Sequence, residues 1–184
     1  MDLDEAKKRL AFFSNYGRDG RERQTVENWL KVKFPSKNFS IVKGANPPDF
    51  LINETIPVEV TEVMKEGRKR GDEYKGDLTR AQQGFSPQSR EDDLSGIGEN
   101  GIEWIKDAID KKKKKYMGID TSSWTLVIYA NFWIFDTFDW EKLRHDLSAS
   151  RPPFAQIDVV NSSENKVWNV YDSESAAPGS QGKL

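Results

Sequence analysis

A chain of 184 residues that is 36% hydrophobic and carries six tryptophans can bury one sizeable core but is short for two, so residues 1–172 read as a single domain. With 28 Lys and Arg against 30 Asp and Glu, the formal charge of −2 gives no overall attraction for phosphate, and a nucleic-acid partner would have to be met by local basic clusters. The lack of cysteine excludes disulfides, thiolate metal ligands and a cysteine nucleophile, while the charged N-terminus and the lack of any apolar run near ~18 residues predict a soluble, cytoplasmic protein with no membrane partner.

Taken in chain order, Leu3, Ala6, Leu10 and Phe13 repeat at helical spacing, and Gly17 with Gly20 breaks the pattern before a second helix over 21–33. Its face runs from Glu22 through Val26, Trp29, Leu30 and Lys33. After Pro35, β-type stretches around 39–42, 50–52 and 56–63, divided by Asn46-Pro47-Pro48 and Asn53-Glu54, predict a meander of three strands. Residues 65–98 are polar and predict a helix over 72–82 within a long loop. Ile102, Ile105, Ile109 and Tyr116 predict a helix that feeds a buried strand over 124–130. A helix over 137–147 and a hairpin of 157–160 with 167–171 complete the pattern, and the tail 173–184 has the composition of a disordered segment. The class is α/β with a mixed sheet flanked by helices.

Chemistry concentrates in Pro48-Asp49-Phe50, followed ten residues after the aspartate by Glu59 in the strand Val58-Glu59-Val60-Thr61-Glu62-Val63. Alternation along a strand puts Glu59 and Thr61 on one face and Val58 and Val60 on the other, so Asp49 at the start of the neighbouring strand can meet Glu59. A close carboxylate pair repels itself unless one member is protonated or a cation lies between them, and an all-oxygen site of this kind suits Mg²⁺ or Mn²⁺. On the helix that follows, Lys112 lies three residues after Ile109 and four before Tyr116, on or near the face that packs on the sheet.

This arrangement resembles the PD-(D/E)XK nuclease superfamily, in which an aspartate at the start of one strand and an acidic-x-lysine triplet on the next form a metal site. The resemblance implies a restriction-endonuclease-like sheet and hydrolysis of phosphodiester bonds, in DNA before RNA, by water activated on Mg²⁺. It assigns Asp49 and Glu59 to the metal, with Glu22 of the preceding helix as a further acid. Thr61 stands at the lysine position, where a hydroxyl supplies no positive charge but can orient water or a carboxylate. Lys112-x-x-x-Tyr116 is similar to a glutamine-x-x-x-tyrosine pattern of some members, which makes Lys112 the replacement for that lysine and puts Tyr116 beside the substrate. Over residues 10–80, Phe13-Ser14-Asn15, Arg21-Glu22-Arg23, Pro47-Pro48-Asp49 and Glu66-Gly67-Arg68-Lys69-Arg70 through Asp72-Glu73 look like a bacterial family of unknown function described only as candidate endonucleases.

Two basic clusters flank the proposed site, Arg21 and Arg23 beside Glu22, and Lys65, Arg68, Lys69 and Arg70 after the strand of Glu59, and they fit a phosphate backbone as well as simple solubility. Plainer readings stand beside the others too: Glu22 as a surface partner of Arg18 or Arg23, Lys112 as part of a solvated run of five lysines, and His145 as a surface residue. The aromatic residues, Trp124, Trp140 and Trp168 among them, read as core, with Phe132 to Phe138 as an exposed patch or homodimer contact. The alternative to a nuclease is a catalytically inactive member of the same fold that binds nucleic acid or a protein, or an interaction module using Phe132 to Trp140.

Overall fold

The computed structural model describes residues 2–13, 17–63, 70–85, 97–130, 138–161 and 165–174. In chain order the elements are α1 (Leu3–Phe13), α2 (Arg18–Lys33), β1 (Ile41–Lys43), β2 (Phe50–Ile52), β3 (Ile56–Val63), α3 (Arg70–Gln82), α4 (Ile97–Lys115), β4 (Thr125–Ala130), α5 (Trp140–Ser150), β5 (Gln156–Asn161) and β6 (Lys166–Asp172). Six strands form one sheet in sequential order. β1, β2 and β3 are antiparallel, β3, β4 and β5 run parallel, and β6 returns antiparallel to β5.

The parallel centre explains where the helices lie. The connections β3 to β4 and β4 to β5 step across the sheet in the same direction, and crossovers of one hand then carry α4 and α5 to the same face. There Ile105, Ile109, Leu143 and Leu147 pack with Leu126, Ile128, Ile157 and Val159. The opposite face is left to α2, whose Val26, Trp29 and Leu30 meet Phe50, Ile52, Val58, Val60, Val127 and Val160. β4 is covered on both sides and reads as the continuous apolar run of a buried parallel strand.

Three helix starts depart from the expected ones by three residues or more, and α3 starts two residues early, at Arg70. α2 begins at Arg18 rather than 21, because Gly20 is tolerated inside an exposed first turn that the Arg18–Glu22 ion pair spans. α4 begins at Ile97 rather than 102, through Gly101, where a Cβ would run into the Phe138 ring. α5 starts at Trp140, since the Asp139 side chain accepts the Lys142 amide at 2.9 Å as an N-cap. Of the aromatic residues, Trp124 and Phe138 are buried, Trp140 stacks on Trp168 at 5.0 Å against the core, and residues 131–137 lie outside the described residues, as do 175–184. Among the described residues no helix is long and apolar enough to cross a membrane.

α2 is pinned to the sheet by a carboxylate that sequence reading did not single out. Asp158 on β5 is wholly buried and takes four donors: Trp29 Nε1 at 2.7 Å, Lys33 Nζ at 2.6 Å, Gln156 Nε2 at 2.5 Å and Asn169 Nδ2 at 3.0 Å. A register shift between Ile157 and Asp158 brings Asn169 opposite Asp158. Asp158→Ala strands these donors around a hole and is expected to cost ~3–5 kcal/mol, read as a lower urea midpoint with an unchanged slope.

Candidate active site

The loop between β1 and β2 delivers Asp49. Gly44 donates its N–H to the Asp49 carbonyl at 2.8 Å and Asn46 its N–H to the Pro48 carbonyl at 3.1 Å; a Cβ on Gly44 would strike the Pro48 backbone. β2 and β3 are joined by three residues, Asn53, Glu54 and Thr55; Asn53 and Glu54 take positive φ, and the Thr55 N–H donates to the Ile52 carbonyl at 3.2 Å to close the turn. That turn fixes the register Ile52↔Ile56 and Phe50↔Val58. One step beyond the ladder, the same register sets Asp49 opposite Glu59.

Both carboxylates are buried, Asp49 at 4% exposure and Glu59 at 0%. Asp49 Oδ2 accepts the Val60 amide at 2.9 Å. Glu59 faces α4, and its Oε1 accepts from Lys112 Nζ and from the Tyr116 hydroxyl, with Lys115 Nζ at 3.8 Å. Lys112 Nζ also donates to the Val60 carbonyl at 3.0 Å. Glu59 Oε2 is buried and has no hydrogen-bond partner among the described residues. An orphaned carboxylate oxygen in a dry site is costly unless something arrives to use it.

The electrostatics follow from that crowding. Burial, aided by the negative charges of Glu59 and Glu22, pushes the Asp49 carboxyl above the usual carboxylate range, against the Val60 amide and the more distant Lys112 that pull it down. Burial and the hydrogen bond to Glu59 push the Tyr116 hydroxyl up, so it remains a donor. The Arg18 guanidinium is raised by its hydrogen bond to Glu22 at 2.6 Å and also feels Asp49 and Glu59.

The remaining expected residues divide by location. Glu22 lines a cavity of about 280 Å³ with Arg18, Arg21, Thr25, Thr61 and Tyr129, but its carboxylate is engaged by Arg18. Thr61 lies where this cavity meets a second one on the α4 side of β3. Tyr116, expected at the substrate, is instead buried with its hydroxyl on Glu59 and its ring tilted on Trp124 at 5.5 Å. Arg23 is turned away from the cavity, bonded to Glu27 at 2.9 Å and to the Ile41 carbonyl at 3.2 Å. Lys65, Arg68 and Lys69 lie outside the described residues, and Arg70 opens α3. His145 is exposed, 3.8 Å from Asp146. Arg18, Lys115 and Tyr129 are additions. Arg18 and Lys115 carried a signal as neighbours of Glu22 and Lys112, whereas Tyr129 sits in an apolar run and carried none.

Two carboxylates, one with an unpartnered buried oxygen, fit a Mg²⁺ or Mn²⁺ ion, which takes one or two carboxylates and keeps water and substrate oxygens for the rest. Among the described residues no three His, Asp or Glu side chains come together as a ready-made site, in keeping with Glu22 being held by Arg18.

A family model described as "Putative endonuclease, protein of unknown function (DUF1780)" matches residues 2–138. The chain belongs to this family. The matched span runs from α1 past β4 and so includes Asp49, Glu59, Lys112 and Tyr116. No curated protein matches. Among solved structures, a protein of unknown function from Pseudomonas aeruginosa strain PAO1, PA4535, titled as of the monooxygenase superfamily, is similar over 96% of this chain and 84% of its own, at 19% identity and a TM-score of 0.52. At that identity the likeness is one of fold, a six-stranded mixed sheet flanked by helices.

Two measurements check the site. Lys112→Met leaves Glu59 buried without its cation and is expected to destabilise by ~3–5 kcal/mol, while Glu59→Met/Lys112→Met is expected to recover most of that loss in denaturant titrations. For Asp49, a folded pKa above the unfolded value of 3.8 means that its contribution to stability is present below 3.8 and is lost as pH rises through the raised value. Asp49→Asn, whose side-chain oxygen still accepts the Val60 amide, is therefore expected to melt at or above the wild-type temperature at pH 8, with the difference shrinking toward pH 4.

Proposed function

We propose that this protein is a nuclease of the PD-(D/E)XK type, with a restriction-endonuclease-like core, that hydrolyses phosphodiester bonds in DNA with the aid of Mg²⁺ or Mn²⁺. The carrying observation is the buried Glu59 carboxylate, which lies opposite Asp49 in the strand register, is held on one oxygen by Lys112 and Tyr116, and has no partner for the other among the described residues. Membership in a family described as endonucleases supports the reading, as does the order α2, antiparallel β1, β2 and β3, α4 and parallel β4, to which the chain adds α1 in front and α3 between β3 and α4.

Asp49 and Glu59 would hold the ion. When bound, it supplies Lewis-acid polarisation of the phosphodiester and a lowered pKa for the attacking water. The chain's own residues do the rest. The Val60 amide fixes the Asp49 carboxylate, and Tyr116 and Lys112 fix the rotamer of Glu59, so that both acids are preorganised rather than gathered by the ligand. Lys112 provides the positive charge that Thr61 lacks and stabilises charge building on the phosphoryl oxygens. The Thr61 hydroxyl, on the same face as Glu59, orients the attacking water. Arg18 and Arg21 hold the neighbouring backbone phosphate, with Glu22 keeping Arg18 at the cavity wall.

A second reading, binding without cleavage, draws on one observation: Lys112 already neutralises Glu59 and would compete with a divalent cation there. Incubating supercoiled and linear DNA with Mg²⁺ or Mn²⁺ separates the two. Nicking that falls by about 10²–10³-fold in Asp49→Asn, the scale of removing one stabiliser of transition-state charge, supports the nuclease. Cleavage that survives Asp49→Asn removes the site from the mechanism, and a wild-type protein that binds DNA without cutting it leaves the second reading.

A further inference from the structure

Beyond the acidic pair, a cavity of about 460 Å³ opens between β3 and α4, on the other side of Thr61 from the one that holds Arg18 and Arg21. Its walls bring together chemically distinct groups. Trp104, partly buried, rests on the core and gives the cavity an aromatic wall. Lys111 and Lys115 stand at the C-terminal end of α4, one turn apart, and Lys115 Nζ lies 3.8 Å from Glu59 Oε1. Asp107, one turn before Lys111 on the Trp104 side, adds a carboxylate, while Glu103 is engaged by Lys106 at 3.2 Å. The volume is that of a small-molecule pocket, large enough for one nucleotide and too small for a duplex. It lies toward the carboxyl end of the parallel strands, where open α/β sheets bind their ligands.

We infer that this cavity is a nucleotide subsite that stacks an unpaired base on Trp104 and holds that nucleotide's phosphate on Lys111 and Lys115. The inference rests on the nuclease reading for what lies next door and adds the form of the substrate: a single strand, or a frayed end of a duplex. A base closed inside a duplex has no free face for Trp104, whereas an unpaired base offers one whatever its identity. The division of charge gives a preference as well. Phosphate is repelled by Asp107 and drawn to the lysines, so Asp107 is left to the base, where its carboxylate accepts from the exocyclic amino group of cytosine and finds no such donor on thymine.

The test is binding without chemistry, by fluorescence anisotropy in EDTA. The probes are oligodeoxycytidine and oligothymidine of about twelve nucleotides, within the span single-strand binding sites cover, and a blunt duplex of equal length. The expected result is tighter binding of the cytidine oligomer than of the thymidine oligomer or the duplex. Trp104→Ala is expected to weaken the single strand about 10-fold or more, the scale of one lost stacking contact, and Trp104→Phe to keep most of the affinity. Lys111→Ala/Lys115→Ala, at exposed positions that leave the fold intact, should weaken both single strands alike, and Asp107→Asn should erode the preference for cytidine. Unchanged single-strand affinity in Trp104→Ala and in the double lysine variant overturns the subsite, as does an equal loss for single strand and duplex, or no single-strand binding by the wild type. The two readings fail separately. A protein that binds single strands through Trp104 and never cleaves keeps the subsite and loses the nuclease, and one that cleaves duplex through Asp49 without binding single strands does the reverse.

Discussion

A carboxylate with no exposure at position 59 has to be neutralised or it would not remain in the fold, and how that is done decides where α4 lies. Lys112 and Tyr116, one turn apart, both reach Glu59 Oε1, and Lys112 also reaches the Val60 carbonyl, so the helix can neither rotate nor slide along β3 without stranding a charge. Apolar packing of Ile105 and Ile109 would tolerate such a shift far better, because it is non-directional. The ionic contact is thus what gives the helix its register. In supplying it, the chain also lines up Trp104, Lys111 and Lys115 beside the acidic pair.

The opposite face repeats the device with another carboxylate. Asp158 gathers Trp29 and Lys33 from the C-terminal half of α2, which leaves the N-terminal half, with Arg18, Arg21 and Glu22, over Thr61 and Tyr129. The two buried acids differ in a way that matters. Asp158 has donors on both oxygens and is finished as a structural element, whereas Glu59 has one oxygen used and one in reserve. Satisfied polar groups rigidify, and unsatisfied ones point to where a partner acts.

Much of this was legible because it is local. The strands of the meander follow from β-type runs and turn residues, the pairing of Asp49 with the Glu59 region from alternation, and the choice of Lys112 from its spacing to Ile109 and Tyr116 within a run of five lysines. What was not legible is non-local or depends on shape. Asp158 meets its helix partners across more than a hundred residues, so nothing near it announced the contact. The early start of α4 was hidden by Gly101, which reads as a breaker in sequence and is required in space by the Phe138 ring. Tyr116 was placed beside a substrate by the resemblance alone, whereas its spacing with Ile102, Ile105 and Ile109 put it on the packing face, where it is buried. Arg23 was grouped with Arg21 by proximity, although residues two apart on a helix point in different directions.

The Asn53-Glu54 turn between β2 and β3 acts as a molecular ruler. With Thr55 the connection is three residues long, and the sheet beyond it has a period of two, so one inserted or deleted residue would send Glu59 to the apolar side under α2 and turn Val58 or Val60 toward Lys112 and Tyr116. A lysine would then face valine and a carboxylate would face Trp29 and Leu30. The length of this connection, more than its composition, is therefore where the backbone keeps time for the chemistry. Gene variants that change it by a single codon would lose both the core and the acidic pair at one stroke.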